Sequence, residues 1–194
     1  TLALQTYYGG ANGEPITGAT PTGYYLKKYC DASVNLTAAK TNTKRHTWIT
    51  YRLGEFYLNY AEAVFKYLGS ADATSPEFPM SAREAVNMIR NRADVKMPLL
   101  TAGLSSEDFW KKYENERMIE LAFEGHRFWD IRRWKEGDKL KSIAQMKITK
   151  NDDGTFTYTR KIVNRSWDDK MYLFPIPQSE RMKNPNLTQN PGWE

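Results

Sequence analysis

ERMIELAFEGHRFWDIRRW, residues 116–134, is the stretch whose reading decides the fold. It packs four carboxylates, four arginines, two tryptophans and two phenylalanines into nineteen residues. As a helix it places Glu116, Glu120 and Glu124 at successive i,i+4 positions, where like charges repel unless cations lie between them. Arg117, three residues before Glu120, can supply one guanidinium to carboxylates on the same face. Gly125 then interrupts, because glycine costs a helix about 1 kcal/mol relative to alanine and suits a C-cap or bend. Phe128, Ile131 and Trp134 return at a spacing of three, which predicts a second short helix. The stretch is therefore either a site or a buried ionic lock.

Upstream, Ser105 or Ser106 can cap a helix whose first turn carries Glu107 and Asp108, charges favoured at the positive end of the helix dipole. Phe109, Trp110, Tyr113, Met118 and Leu121 lead from it into the opening stretch. Further back, Leu53, Phe56, Tyr57, Tyr60, Ala61, Val64 and Leu68 predict a wide apolar helix face ended by Gly69. After a loop over 70–79, Ser81 and Glu84 have capping-box spacing, with Ala82, Ala85, Val86, Ile89 and Ala93 facing inward. Such a helix pair resembles one tetratricopeptide unit, although the connection is long for that repeat.

The first twenty-three residues are rich in turn formers, and Tyr24–Tyr29 predicts a short strand. The polar run 40–46 reads as an exposed loop. Beyond Gly137, the segments around 146–149 and 155–159 flank Asn151-Asp152-Asp153-Gly154, a hairpin signal. Those acids lack the alternating ligands of a calcium loop. Pro175 and Pro177 forbid helix, and the residues after them predict one short turn and an extended tail pinned by Leu187 and Trp193.

The 194 residues, 40% apolar and 26% charged, suit a single globular domain over 1–194, and no run approaches the ~20 apolar residues of a membrane-spanning helix. The formal charge is +5, but the cations are intermixed with acids and form no basic stripe, which argues against nucleic acid. Cys30 is the single cysteine and His46 and His126 the only histidines, so we expect no disulfide, no metal and no cofactor. Catalysis would rest on Glu116, Glu120, Glu124 and Asp130, since paired carboxylates can hydrolyse glycosides. Arginines within helical reach would hold their pKa values down rather than raise one for proton donation, so we expect no enzyme.

Five motifs in this order, YRLGEFYLNYAEA (51–63), VNMIRNRA (86–93), residues 116–134, LFPIP (173–177) and NPNLTQNPGW (184–193), resemble the C-terminal part of the SusD/RagB family of outer-membrane nutrient-binding lipoproteins. The resemblance implies a mainly α fold of tetratricopeptide-like helix pairs, here with a small β-hairpin and an extended C-terminal tail. It implies cell-surface attachment through an N-terminal lipid, binding of oligosaccharides or other large nutrients, and partnership with a TonB-dependent outer-membrane transporter, without catalysis. Cys30 is not placed as a lipid-carrying cysteine, and the chain reads as the C-terminal part of a longer protein. A rival reading is a helical-repeat scaffold that binds protein only.

Sugar binding would use exposed aromatic faces, and Tyr7, Tyr8, Trp48, Tyr158 and Trp167, in loop or hairpin contexts, are the ligand-binding candidates. Each of these rings has the alternative role of a packing anchor. Arg117, Glu120, Glu124, Arg127, Asp130 and Arg133 are expected to form a partly buried ionic network clamping the last helices against the tail.

Overall fold

The computed structural model describes residues 4–20, 22–35 and 41–194. Two compact units emerge: Arg45–Phe128, and a second formed by Thr1–Lys44 with Trp129–Glu194. The elements are mainly helical, with one two-stranded antiparallel sheet among the described residues.

The helical unit holds α1 (Leu53–Leu68), α2 (Ala82–Arg90) and α3 (Ser106–Glu120). Gly69 ends α1 in the left-handed region, and Ser81 and Glu84 form the reciprocal capping box of α2. The Ser105 side chain accepts from the Asp108 N–H at the start of α3. Leu58, Ala61, Ala85, Val86, Phe109 and Tyr113 are completely buried. The alanines let α1 and α2 approach closely, and each large apolar side chain so buried contributes about 1.5–3 kcal/mol. Phe65 completes the core, its ring 4.9 Å from Phe109 and stacked on Trp110 at 5.9 Å. The Tyr113 hydroxyl is satisfied within the core by the Leu58 carbonyl at 3.0 Å and Glu62 at 2.9 Å.

Two expectations are corrected in this unit. Leu53 and Phe56 are 68% and 59% exposed, while Leu58 and Phe65 face inward. Helix α1 is apolar on more than one side, so its periodicity does not select the inner face. Ala93 lies beyond the end of α2 and is exposed.

The ends of the three helices meet at an ionic cluster. Arg52, just ahead of α1, forks onto Glu124 through Nε and Nη2, each at 2.8 Å, and also donates to the carboxylate and the carbonyl of Glu120. Arg92, just beyond α2, grips Glu120 at 2.7 and 3.2 Å. Arg90 bonds Glu116, and the buried Arg117 donates to Asn59 of α1 at 2.8 Å. Arg52 and Arg92 thus reach Glu120 from segments far from it in sequence. Arg127 is half-buried, its Nη1 shielded from water with no hydrogen-bond partner among the described residues. Burial would raise the Glu120 pKa, but hydrogen bonds and charges from Arg52 and Arg92 outweigh it and hold the carboxyl below its usual 4.5. The Arg52 pKa is raised, chiefly by its hydrogen bonds to Glu124.

Helix α4 (His126–Arg133) follows a turn in which Phe123 and Gly125 have positive φ, the bend expected at Gly125; the division between units falls inside it. In the second unit, Asp130 is 3% exposed and accepts from Arg133 Nε at 2.9 Å and Nη2 at 2.8 Å. Strands β1 (Ser142–Lys150) and β2 (Phe156–Asn164) pair with Ile148 opposite Tyr158. The turn closes by Asn151 N–H to the Thr155 carbonyl at 2.9 Å, with Gly154 at φ +84°. The free edge of β1 receives the N-terminal loop through Tyr8 N–H to the Ile148 carbonyl, 2.8 Å, and Met146 N–H to the Thr22 carbonyl, 3.0 Å. Residues 24–29 are irregular, not the strand expected; this segment joins no described strand, and Lys28 and Tyr29 form a turn. Lys40 lies outside the described residues, and 41–46 form no helix or strand.

The tail adds α5 (Gln178–Lys183) and is tied down by side chains. Gln189 brackets the backbone of Ile176, and the Trp193 indole donates to the Lys170 carbonyl at 2.9 Å. Trp167 meets Tyr172 edge-on at 5.0 Å, and the Tyr172 hydroxyl accepts from Gly137 N–H. A Cβ on Gly137 would fall 1.9 Å from the Trp167 ring.

Three outcomes follow from this packing. Arg52→Ala is expected to cost stability toward the lower end of the roughly 3–5 kcal/mol typical of removing one partner of a buried pair, because the Arg52 side chain keeps 22% exposure; chemical denaturation measures it. Because the folded Glu120 carboxyl titrates below its unfolded value of 4.5, its stabilising contribution is complete above that pH and is lost as pH falls through the folded value. Denaturation curves between pH 6 and 3 should therefore be flatter for Glu120→Gln than for the parent, and identical slopes would refute the assignment. Gly137→Ala should destabilise by about 1–3 kcal/mol through overpacking against Trp167, with indole fluorescence reporting the displaced ring.

Candidate ligand-binding surface

The antiparallel register sorts β-hairpin side chains onto two faces. One face carries Phe156, Tyr158, Arg160 and Ile162 of β2 opposite Lys150, Ile148, Met146 and Ala144 of β1. Tyr158 is 63% exposed and Phe156 43%. Tyr7 joins them, its ring 5.6 Å from Phe156 and 5.7 Å from the Lys150 ammonium. Tyr8, the next residue, is 54% exposed and has the Lys147 ammonium 5.4 Å from its ring. The Tyr8 bond to β1 fixes the loop so that both tyrosines border the hairpin. Two of the five ring candidates, Tyr7 and Tyr158, thus share this face with Lys150 and Arg160, while Tyr8 and Lys147 border the opposite face.

The other two are elsewhere. Trp167 is half-buried, wedged against Tyr172 and Gly137 with the Arg132 guanidinium 5.3 Å from its ring. Trp48 belongs to the helical unit, where it is 67% exposed and 6.2 Å from the His46 ring.

Hollows accompany the hairpin unit among the described residues. The space between the N-terminal loop and β1, lined by Tyr8, Glu14, Gln145, Lys147 and Lys161, is about 20 Å³ and admits a water molecule at most. A wider cleft of about 580 Å³ lies among Lys135, Asp168, Asp169, Lys170, Tyr172 and Gly192, within the size range of ligand pockets. None of the ring candidates lines it. Its sequence signal is the charged run 168–170 ahead of Tyr172, which is easily taken for an ordinary surface turn. Phe156 and Arg160 were also missed, although their alternation in FTYTRKIVN marks one strand face.

Glu116, Glu120, Glu124 and Asp130 each contact a guanidinium, and Glu120 is held ionised instead of poised to donate a proton. Among the described residues no group of three or more His, Cys, Asp or Glu side chains is placed to hold a metal, and no helix is long and apolar enough to cross a membrane.

Comparison with known proteins converges on one family. The SusD family model matches residues 3–193. A SusD-like protein P2 from Formosa agariphila is 32% identical over 153 residues, covering 75% of this chain and 26% of that protein. The crystal structure of a SusD-like protein from Bacteroides fragilis superposes with a TM-score of 0.59 at 38% identity, again over 75% of this chain and 26% of the other. The chain thus spans about a quarter of the length of these relatives. With a family model matched over nearly its whole length and this likeness in structure, the chain belongs to the SusD family.

Proposed function

We propose that this chain is part of a non-catalytic, cell-surface nutrient-binding protein that captures oligosaccharide or polysaccharide and delivers it to a TonB-dependent outer-membrane transporter. The likeness to SusD-like proteins supports the nutrient-uptake role. In the longer protein, a lipid outside this chain would hold it at the outer membrane. The α1–α2 pair, packed through alanines, is read as one tetratricopeptide-like unit of the scaffold.

The ligand surface is assigned to the hairpin face that carries Phe156 and Tyr158, and the observation that carries it is the approach of Tyr7 to Phe156 and Lys150 on that face. Rings held on a strand present flat apolar faces to the C–H surface of a sugar with little ordering cost. Lys150 and Arg160 stand on the same face as donors to sugar hydroxyls. Pairing of the carboxylates with arginine supports binding without hydrolysis.

Titration calorimetry against a panel of polysaccharides tests this. Tyr158→Ala should weaken the best ligand roughly three- to tenfold, the equivalent of losing about 0.5–1.5 kcal/mol of ring contact, while leaving the unfolding midpoint unchanged. Unaltered affinity would remove the hairpin from the site, and release of reducing sugar would overturn the non-catalytic reading.

A further inference from the structure

Strand β2 presents an open edge. All of its residues are exposed except Val163, which is half-buried. In an antiparallel ladder, residues alternate between narrow pairs that exchange hydrogen bonds and wide pairs whose backbone groups point away from the partner strand. Asn151 N–H bonds the Thr155 carbonyl and Arg165 N–H bonds the Lys141 carbonyl. Those two bonds flank the ladder and make its odd-numbered residues the narrow pairs. The same alternation turns Met146 N–H and the Ile148 carbonyl outward on β1, where they bond Thr22 and Tyr8. On β2 the outward groups therefore belong to Phe156, Tyr158, Arg160 and Ile162, and they have no backbone partner among the described residues. Nine residues of open edge is a ready template for another strand.

Charge selects the occupant. Arg160 on one face and Lys161 on the other sit at the centre of β2. The unit that carries the strand has 17 Lys and Arg against 11 Asp and Glu, whereas the helical unit is nearly balanced at 11 against 12. Two copies of so cationic a unit repel, and like charges set opposite one another across strands are destabilising. Opposite charges at the same positions are favourable.

We propose that the β2 edge is a docking site for an extended, acidic strand of a different polypeptide, added antiparallel to β2. The register specifies the strand. A carboxylate opposite Arg160 and another opposite Lys161 are flanked by apolar residues opposite Ile162 and Tyr158, giving the order apolar, acidic, acidic, any, apolar. Backbone bonds at Tyr158, Arg160 and Ile162 supply the affinity, and the side-chain pairs set the specificity.

The test uses this chain and a capped heptapeptide, Thr-Val-Glu-Glu-Thr-Val-Thr, with a Lys-Lys version as control, by fluorescence anisotropy. The acidic peptide is expected to bind at least tenfold more tightly than the basic one, and the preference should shrink as salt rises. The double change Arg160→Glu and Lys161→Glu should reverse the preference. Ile162→Pro deletes an outward N–H without touching the β1–β2 ladder, so it should abolish binding where Ile162→Ala only weakens it. Retained amide protection at Thr157, Thr159 and Lys161 would confirm that the hairpin stays formed. Equal affinity for both peptides, or binding that survives Ile162→Pro in an intact hairpin, overturns the proposal. So does a dimer in sedimentation that Ile162→Pro dissociates, since the occupant would then be a second copy.

Discussion

The helical unit depends on the fork that Arg52 makes with Glu124 and Glu120. Carboxylates that are mostly hidden from water are tolerable only when paired. Glu120 and Glu124 are about one-tenth exposed, and the guanidiniums that pair them come from the segments flanking α1 and α2. One ionic cluster thus fixes where the N-terminal end of α1, the C-terminal end of α2 and the end of α3 must lie. Apolar packing of Leu58, Val86 and Phe109 supplies the free energy of collapse, and the cluster selects one register for it. Gly54 shows how tight the arrangement is, since a Cβ there would lie 2.8 Å from Arg52 Nη1 and 2.9 Å from Glu120 Oε1. The roughly 1 kcal/mol that alanine gains over glycine in a helix is small beside the loss of that fork.

The second unit is held differently. Its apolar core is small, and its order comes from a hairpin turn closed by Asn151 and Asp153, a loop zipped to β1, and rings pinned by single contacts such as Trp167 on Gly137. Side chains replace missing strands: the Gln189 amide pairs with the backbone of Ile176 on both sides, as a neighbouring strand would. Such a unit buries little of its hairpin. The rings and cations of β2 are consequently exposed.

What was legible in the sequence follows from the range of the interaction concerned. Gly69, the Ser81–Glu84 capping box, the Gly125 bend and the Asn151–Gly154 turn are local devices, and each was read correctly from neighbouring residues. The inner face of α1 was misjudged because Leu53 and Phe56 are as apolar as Leu58 and Phe65, and only the placement of α2 and α3 decides between them. The strand expected at 24–29 failed because the β-ladder of that unit forms elsewhere. Arg52 lies 68 residues from Glu120 and Arg92 lies 28, distances over which the spacing within 116–134 carries no information. Tyr7, Tyr8 and Tyr158 stand out in the sequence as rings in loop or hairpin contexts, but only the register shows which side chains share a face, aligning Phe156 and Arg160 with Tyr158.

The same geometry gives a stretch so rich in acids and bases a structural role. Arg52 and Arg92 hold the Glu120 carboxyl below its usual value, the opposite of what a proton donor requires. The central claim is that these charges are spent on holding the helices. A double-mutant cycle between Arg52→Ala and Glu124→Ala, read from chemical denaturation, tests it most directly. Direct pairing predicts a coupling energy above about 1 kcal/mol, within the range seen for contacting charged partners. Losses that simply add, to within about 0.5 kcal/mol, would contradict it.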